Sequence, residues 1–93
     1  MNSSMINAMR IIVEWMKAKN VDAELNLSGL GLTEFPFVPP TVKKLNIENN
    51  QISKIMILPP GLVSLKCANN KLKVYPNEGE EPKKYFMRLM MAK

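Results

Sequence analysis

Cys67 is the single cysteine of this chain, and the chain contains no histidine. A thiol becomes a useful nucleophile when a neighbouring base or cation favours its thiolate. Histidine is the commonest such base and the commonest nitrogen ligand for metals. Its absence removes the usual thiol and hydroxyl relays. The eight Asp and Glu residues show neither the spacing of a metal-binding loop nor a defensible pair for acid–base work. No catalytic residue, metal ligand or cofactor is therefore expected, and the chain does not read as an enzyme. Cys67 is expected to be buried and inert, and a lone cysteine forms no internal disulfide.

The chemistry left to the chain is recognition by polar side chains, so the question becomes which elements line them up. Three segments repeat with a period of twenty residues. Leu25, Leu45 and Leu65 share a phase, as do Leu27, Ile47 and Cys67. Leu32, Ile52 and Leu72 follow, then Phe35, Ile55 and Tyr75. Pro39–Pro40 and Pro59–Pro60 keep step, with Val42 and Leu62 after them. A fixed short period marks a stacked array in which each unit buries its apolar face against the next. Leu45 and Ile47 alternate with period two, which gives a short strand with both side chains on one face. Stacked in parallel, such strands turn Leu25, Leu27, Leu45, Ile47, Leu65 and Cys67 into one wall of a narrow core.

Asn50 and Asn70 occupy one phase beyond the strands. The backbone must turn there, and its buried polar groups need partners. An amide side chain donates and accepts, so both asparagines read as structural, bonding their own repeat and the next. Asn49 and Asn69 are expected to face outward. The first repeat has Leu30 at this phase, preceded by Gly29. The paired prolines fix φ near −65° and lack N–H donors, and each pushes its predecessor to extended geometry. The return leg is therefore expected to be polyproline-like or extended, not helical.

With these residues in view, the repeat region resembles that of bacterial leucine-rich-repeat effectors of the IpaH and YopM type. The stretch Leu25-Asn-Leu-Ser-Gly-Leu-Gly-Leu-Thr-Glu-Phe-Pro-Phe-Val-Pro-Pro-Thr-Val42 is similar to their first repeat. Ile57-Leu-Pro-Pro-Gly-Leu-Val-Ser-Leu-Lys-Cys-Ala-Asn-Asn-Lys-Leu72 is similar to their later ones. The match covers residues 22–76. Met56 departs from it, where the pattern prefers proline. The resemblance implies an α/β solenoid with parallel concave strands, an N-terminal capping helix and a non-enzymatic, effector-like virulence role. Ubiquitin-ligase activity is not carried over, because Cys67 lies in a repeat strand and matches no catalytic motif of those enzymes. Secretion into a host cell by a non-Sec route, or a cytoplasmic location, is the matching expectation. The N-terminus has no basic segment followed by an apolar run.

The organisation expected is a capping helix over 1–20, three repeats over 21–76 (about 23–42, 43–62 and 63–76), and a linker with a short helix over 77–93. In the first helix, read over 4–19, Ser3 or Ser4 is the expected cap and Asn20 the expected stop. Met5, Ala8, Met9, Ile12, Val13 and Met16 follow helical spacing and are expected to face the core, with Trp15 as a lid beside them. In the second, Pro82 suits the first turn and Glu80 and Glu81 suit the positive helix end. Tyr85, Phe86, Leu89 and Met90 form its apolar side, bordered by Lys84, Arg88 and Lys93. That side caps the third repeat, docks on another copy to give a homo-oligomer, or, as a basic-edged amphipathic helix, lies at a membrane surface.

Outward side chains of the three strands form a grid. Its columns are Glu24, Lys44 and Ser64; then Asn26, Asn46 and Lys66; then Ser28, Glu48 and Ala68. Parallel neighbours lie about 4.8 Å apart, which lets Glu24 pair with Lys44 and Lys66 with Glu48. The grid reads either as solvated strand residues or as the docking face for a protein partner, a host protein under the resemblance. Thirteen Lys and Arg against eight Asp and Glu give a net charge of +5. The lysines are dispersed and not interleaved with aromatics, so nucleic acid is not expected as a partner. No apolar run reaches the roughly 18 residues of a membrane span.

Overall fold

A computed structural model describes residues 2–92; Met1 and Lys93 lie outside the described residues. The chain is an α/β structure with two helices and one three-stranded parallel sheet. Helix α1 spans Ser3–Ala18, strands β1, β2 and β3 span Leu25–Asn26, Lys44–Asn46 and Ser64–Lys66, and helix α2 spans Pro82–Met91. The strands are ordered β1-β2-β3.

Strand register follows the twenty-residue spacing. Leu25 pairs with Leu45, and Leu45 with Leu65. Backbone bonds extend the match past the strands, with Leu27 N–H donating to Asn46 C=O at 2.7 Å and Ile47 N–H to Lys66 C=O at 2.8 Å. Gln51 N–H donates to Leu32 C=O and Lys71 N–H to Ile52 C=O, again in equivalent places. The side chains directed under the sheet (Leu25, Leu27, Leu45, Ile47 and Cys67) are buried, with Leu32, Ile52 and Leu72 beyond them. Leu65, on the outer strand, is only partly buried. Between strands the chain returns without helix or strand through Pro39–Pro40 and Pro59–Pro60. Val42 N–H closes a turn on Pro39 C=O, and Leu62 N–H closes the same turn on Pro59 C=O, both at 3.1 Å.

Helix α1 differs from its sequence reading in cap and in face. Asn2 is the N-cap, accepting from Met5 N–H at 2.8 Å, and Ser3 and Ser4 lie inside the helix. Lys19 ends it in the left-handed conformation, φ 53°; Asn20 instead accepts from Asp22 N–H in the following turn. The inward face is Ala8 and Ile12, with Met5, Ile11 and Trp15 packed beside them. Met9, Val13 and Met16 are exposed, not core. The apolar arc is wider than the contact available, and Trp15 is tied down at one side of the part that is used. Its indole N–H donates to Ala23 C=O at 3.0 Å, anchoring that side of the helix next to β1.

Helix α2 begins at Pro82, whose missing N–H costs nothing in a first turn. Glu81 is its N-cap but makes no side-chain cap bond. Tyr85 falls twenty residues after Leu65 and is fully buried. Its hydroxyl donates to Val74 C=O at 2.8 Å.

Candidate functional site

The outer face of the sheet carries the nine side chains read as a grid, and the structure does not treat them alike. Asn26, Asn46 and Ser28 are occupied with one another or with neighbouring backbone. Asn26 Oδ1 accepts from Ser28 N–H at 3.0 Å and from Ser28 Oγ at 2.6 Å. Asn46 Oδ1 accepts from Glu48 N–H at 2.9 Å. These are local side-chain turns at the strand ends, a habit of asparagine. Asn46, on the central strand, is only 9% exposed. It is part of the scaffold and offers little to a partner.

Glu24, Lys44, Glu48 and Lys66 are the charged groups of this face, the two lysines exposed and the two glutamates half-buried. Lys66 Nζ lies 3.4 Å from Glu24 Oε2, reaching from the third strand across β2 to the first. This replaces the expected Glu24–Lys44 and Lys66–Glu48 pairs. A lysine stem is long enough to choose among carboxylates two strands away, so strand adjacency did not determine the pair. Both side chains stay partly exposed, 55% and 30%, so the bridge contributes little stability. Lys44 enters no ion pair among the described residues. Ser64 and Glu48 are half-buried and Ala68 is exposed.

Below this face two asparagines tie the strand ends together. Asn50 Oδ1 accepts from Leu30 N–H at 3.1 Å and Leu32 N–H at 3.0 Å. Its Nδ2 donates to the carbonyls of Leu27, Ile47 and Glu48. Asn70 Oδ1 accepts from Ile52 N–H, and its Nδ2 donates to Ile47, Cys67 and Ala68. Each therefore bonds its own turn and the preceding one, where the following one was expected. The side chain points back because the preceding turn is the one whose amides face it. Asn49 and Asn69 are exposed and left-handed, with φ of 58° and 57°, and Gly29 takes the same place at 67°. Asn69 Nδ2 donates to Asn49 Oδ1 at 2.8 Å, an amide ladder along the surface.

The C-terminal residues read as a self-association face are largely used within the chain. Tyr85 and Leu89 are buried and Phe86 is partly so, while Met90 is exposed. Sequence reading passed over the contact that holds them. Arg88 makes two bonds of 2.7 Å to Glu80, through Nε and Nη2, and Nη2 also donates to Tyr75 C=O at 2.9 Å. Its guanidinium lies 5.9 Å from the Tyr85 ring centre, within cation–π range. The Arg88 hydrogen bonds, aided by the Asn77 backbone N–H, hold the Glu80 carboxyl down at about 2. Glu80 thus serves Arg88, not the helix end. A fork-shaped arginine eight residues after a glutamate, across a helix start, has no strong local signature.

Cys67 is buried, and burial pushes its thiol above the ordinary value, only partly offset by the nearby Tyr85 hydroxyl. That setting disfavours thiolate chemistry. Among the described residues no group of three or more Cys, Asp or Glu side chains could hold a metal ion. No helix is long and apolar enough to cross a membrane among the described residues. On the side away from the strand face, a cavity of ≈ 240 Å³ opens between the two proline-bearing loops, lined by Phe35, Phe37, Val38, Ile57 and Leu58. It contains no polar constellation. Compared with protein-family models, with curated proteins and with solved structures, the chain matches none.

Proposed function

We propose that this chain is a non-enzymatic protein-binding module of the short leucine-rich-repeat kind. It engages a protein partner through the outer, concave face of its strands. The solenoid reading is supported by the twenty-residue period, by the strand register that follows it, and by the backward-reaching amides of Asn50 and Asn70. The observation that carries the functional reading is the solvent-facing, partly exposed charge set of Glu24, Lys44 and Lys66 on a scaffold braced by Asn26, Asn46 and Ser28. Rigid strands with solvated charges suit recognition better than catalysis. The resemblance to secreted bacterial effectors makes a host protein the proposed partner. The concave face is small against a standard interface of about 800 Å² per partner, so the partner must also contact flanking elements.

The test is photo-crosslinking from position 44 followed by pulldown, comparing wild type with the Lys66→Glu variant. A partner that crosslinks at the strand face and is lost on charge reversal supports the proposal. Crosslinks that persist unchanged in the variant overturn it. Asn46 is unsuitable for this purpose, because substitution there would disturb the β2 turn.

A further inference from the structure

Four side chains of α1 stand unpartnered along one line of the helix. Ile6, Met9, Val13 and Met16 are 45%, 47%, 45% and 51% exposed. Their spacing is three, four, three, the alternation that makes a seam for a second helix. They span about 15 Å of helix, beside the face already spent on Ala8, Ile12 and Trp15. Isolated exposed apolar residues need no explanation, but a continuous stripe along a helix does. Two of the four are methionines, whose unbranched stems adapt to a partner's surface.

Charge decides what covers the stripe. Arg10 and Lys17 stand four residues after Ile6 and Val13, so they line one edge of it. Arg10 enters no ion pair among the described residues. Lys17 has only a 3.8 Å contact with Glu14, with both side chains about 70% exposed. A second copy packed antiparallel would set Ile6 against the other Met16 and bring the two cationic edges together. The net charge of +5 opposes that pairing further. A helix bearing acidic residues beside its own apolar seam meets both features at once.

We infer that the exposed stripe of α1 is a docking seam for an acidic amphipathic helix of a partner protein. It lies on α1 and not on the strand face, so each assignment stands or falls separately.

The experiment uses two synthetic peptides of about three heptads, both with leucine at the seam positions. One carries Glu at the flanking positions and the other Lys. Binding to the whole chain is followed by fluorescence anisotropy at physiological ionic strength, and peptide helicity by circular dichroism. The acidic peptide should bind at least ~10-fold more tightly than the basic one and become helical on binding. Val13→Asp should abolish binding. The Arg10→Glu, Lys17→Glu double variant should reverse the preference, and it changes only solvated positions, so it decides the matter if Val13→Asp fails to fold. Equal affinity for both peptides, or none for the acidic one, overturns the inference. So does a concentration-dependent mass abolished by Val13→Asp, which would mean a second copy. Binding to phosphatidylserine vesicles in preference to the acidic peptide would mean a membrane surface and would likewise overturn it.

Discussion

Asn50 and Tyr75 perform the same task at two ends of the sheet. The Asn50 side-chain oxygen accepts the amides of Leu30 and Leu32. The Tyr75 hydroxyl accepts those of Asn70 and Leu72, at 3.2 and 3.3 Å. Each of these amides lies forty residues after its counterpart. Asn50 reaches back from the turn after β2, whereas Tyr75 closes its own turn from within. Tyr75 shares a phase with Phe35 and Ile55, so an apolar position has acquired a polar duty.

Burial separates the two in energy. Asn50 is 7% exposed, and its loss would strand several buried groups, each costing about 1–3 kcal/mol. Asn50→Ala should lower stability by more than about 3 kcal/mol. Tyr75 is 38% exposed, so water can replace its hydroxyl, and Tyr75→Phe should cost about 1 kcal/mol or less. Urea unfolding followed by circular dichroism measures both; equal losses would refute the ranking by burial.

The left-handed turn position makes a second prediction. Gly29, Asn49 and Asn69 share it, and a side chain added at Gly29 meets nothing within 4 Å. Gly29→Asn should therefore be close to neutral. Gly29→Val should destabilise by about 1–2 kcal/mol, because a branched side chain resists positive φ. Midpoints of thermal unfolding for the two variants give the comparison.

The Glu80–Arg88 pair predicts a pH dependence with a defined sign. The Glu80 carboxyl falls from an ordinary 4.5 to about 2 in the folded chain. A depressed folded value means the unfolded chain binds the proton more readily, so the contribution is fully present above about 4.5. It is lost as pH falls from there towards about 2. Hydrogen exchange of α2 amides should accelerate across that window in wild type. In Glu80→Gln the rates, corrected for intrinsic exchange, should change far less over the same range.

Cys67 reports on how tightly α2 holds. Its thiol is buried and its proton held, so a thiol reagent should label it only when the structure opens. Arg88→Ala frees α2 from Glu80 and from Tyr75 C=O. It should speed labelling several-fold while leaving the labelling rate in denaturant unchanged. Tyr85→Ala removes a fully buried ring and should cost about 3–5 kcal/mol. Labelling that is already fast in wild type would contradict the burial of Cys67.

The amino-acid sequence alone dictates whatever repeats along the chain. The spacing of Leu25, Leu45 and Leu65 carries the strand register, because side-chain alternation and a fixed period leave one alignment that turns all three toward the core. The paired prolines carry the absence of helix between strands through their locked φ and missing donors. The place of Asn50 and Asn70 was equally legible, since buried turns demand polar partners. Tertiary structure alone decided the matters that depend on reach and competition. α1 has a wider apolar arc than the sheet end can cover, and with Ala8 and Ile12 packed inward and Trp15 tied to Ala23 C=O, Met9, Val13 and Met16 face outward. Lys66 chooses Glu24 over the nearer-seeming Glu48 because a long flexible stem samples several carboxylates. Asn46 looks outward by alternation yet is buried, being on the central strand with its side chain bonded to its own backbone. Arg88 makes bonds set by where α2 and the last turn meet, a distance that spacing along the chain does not encode.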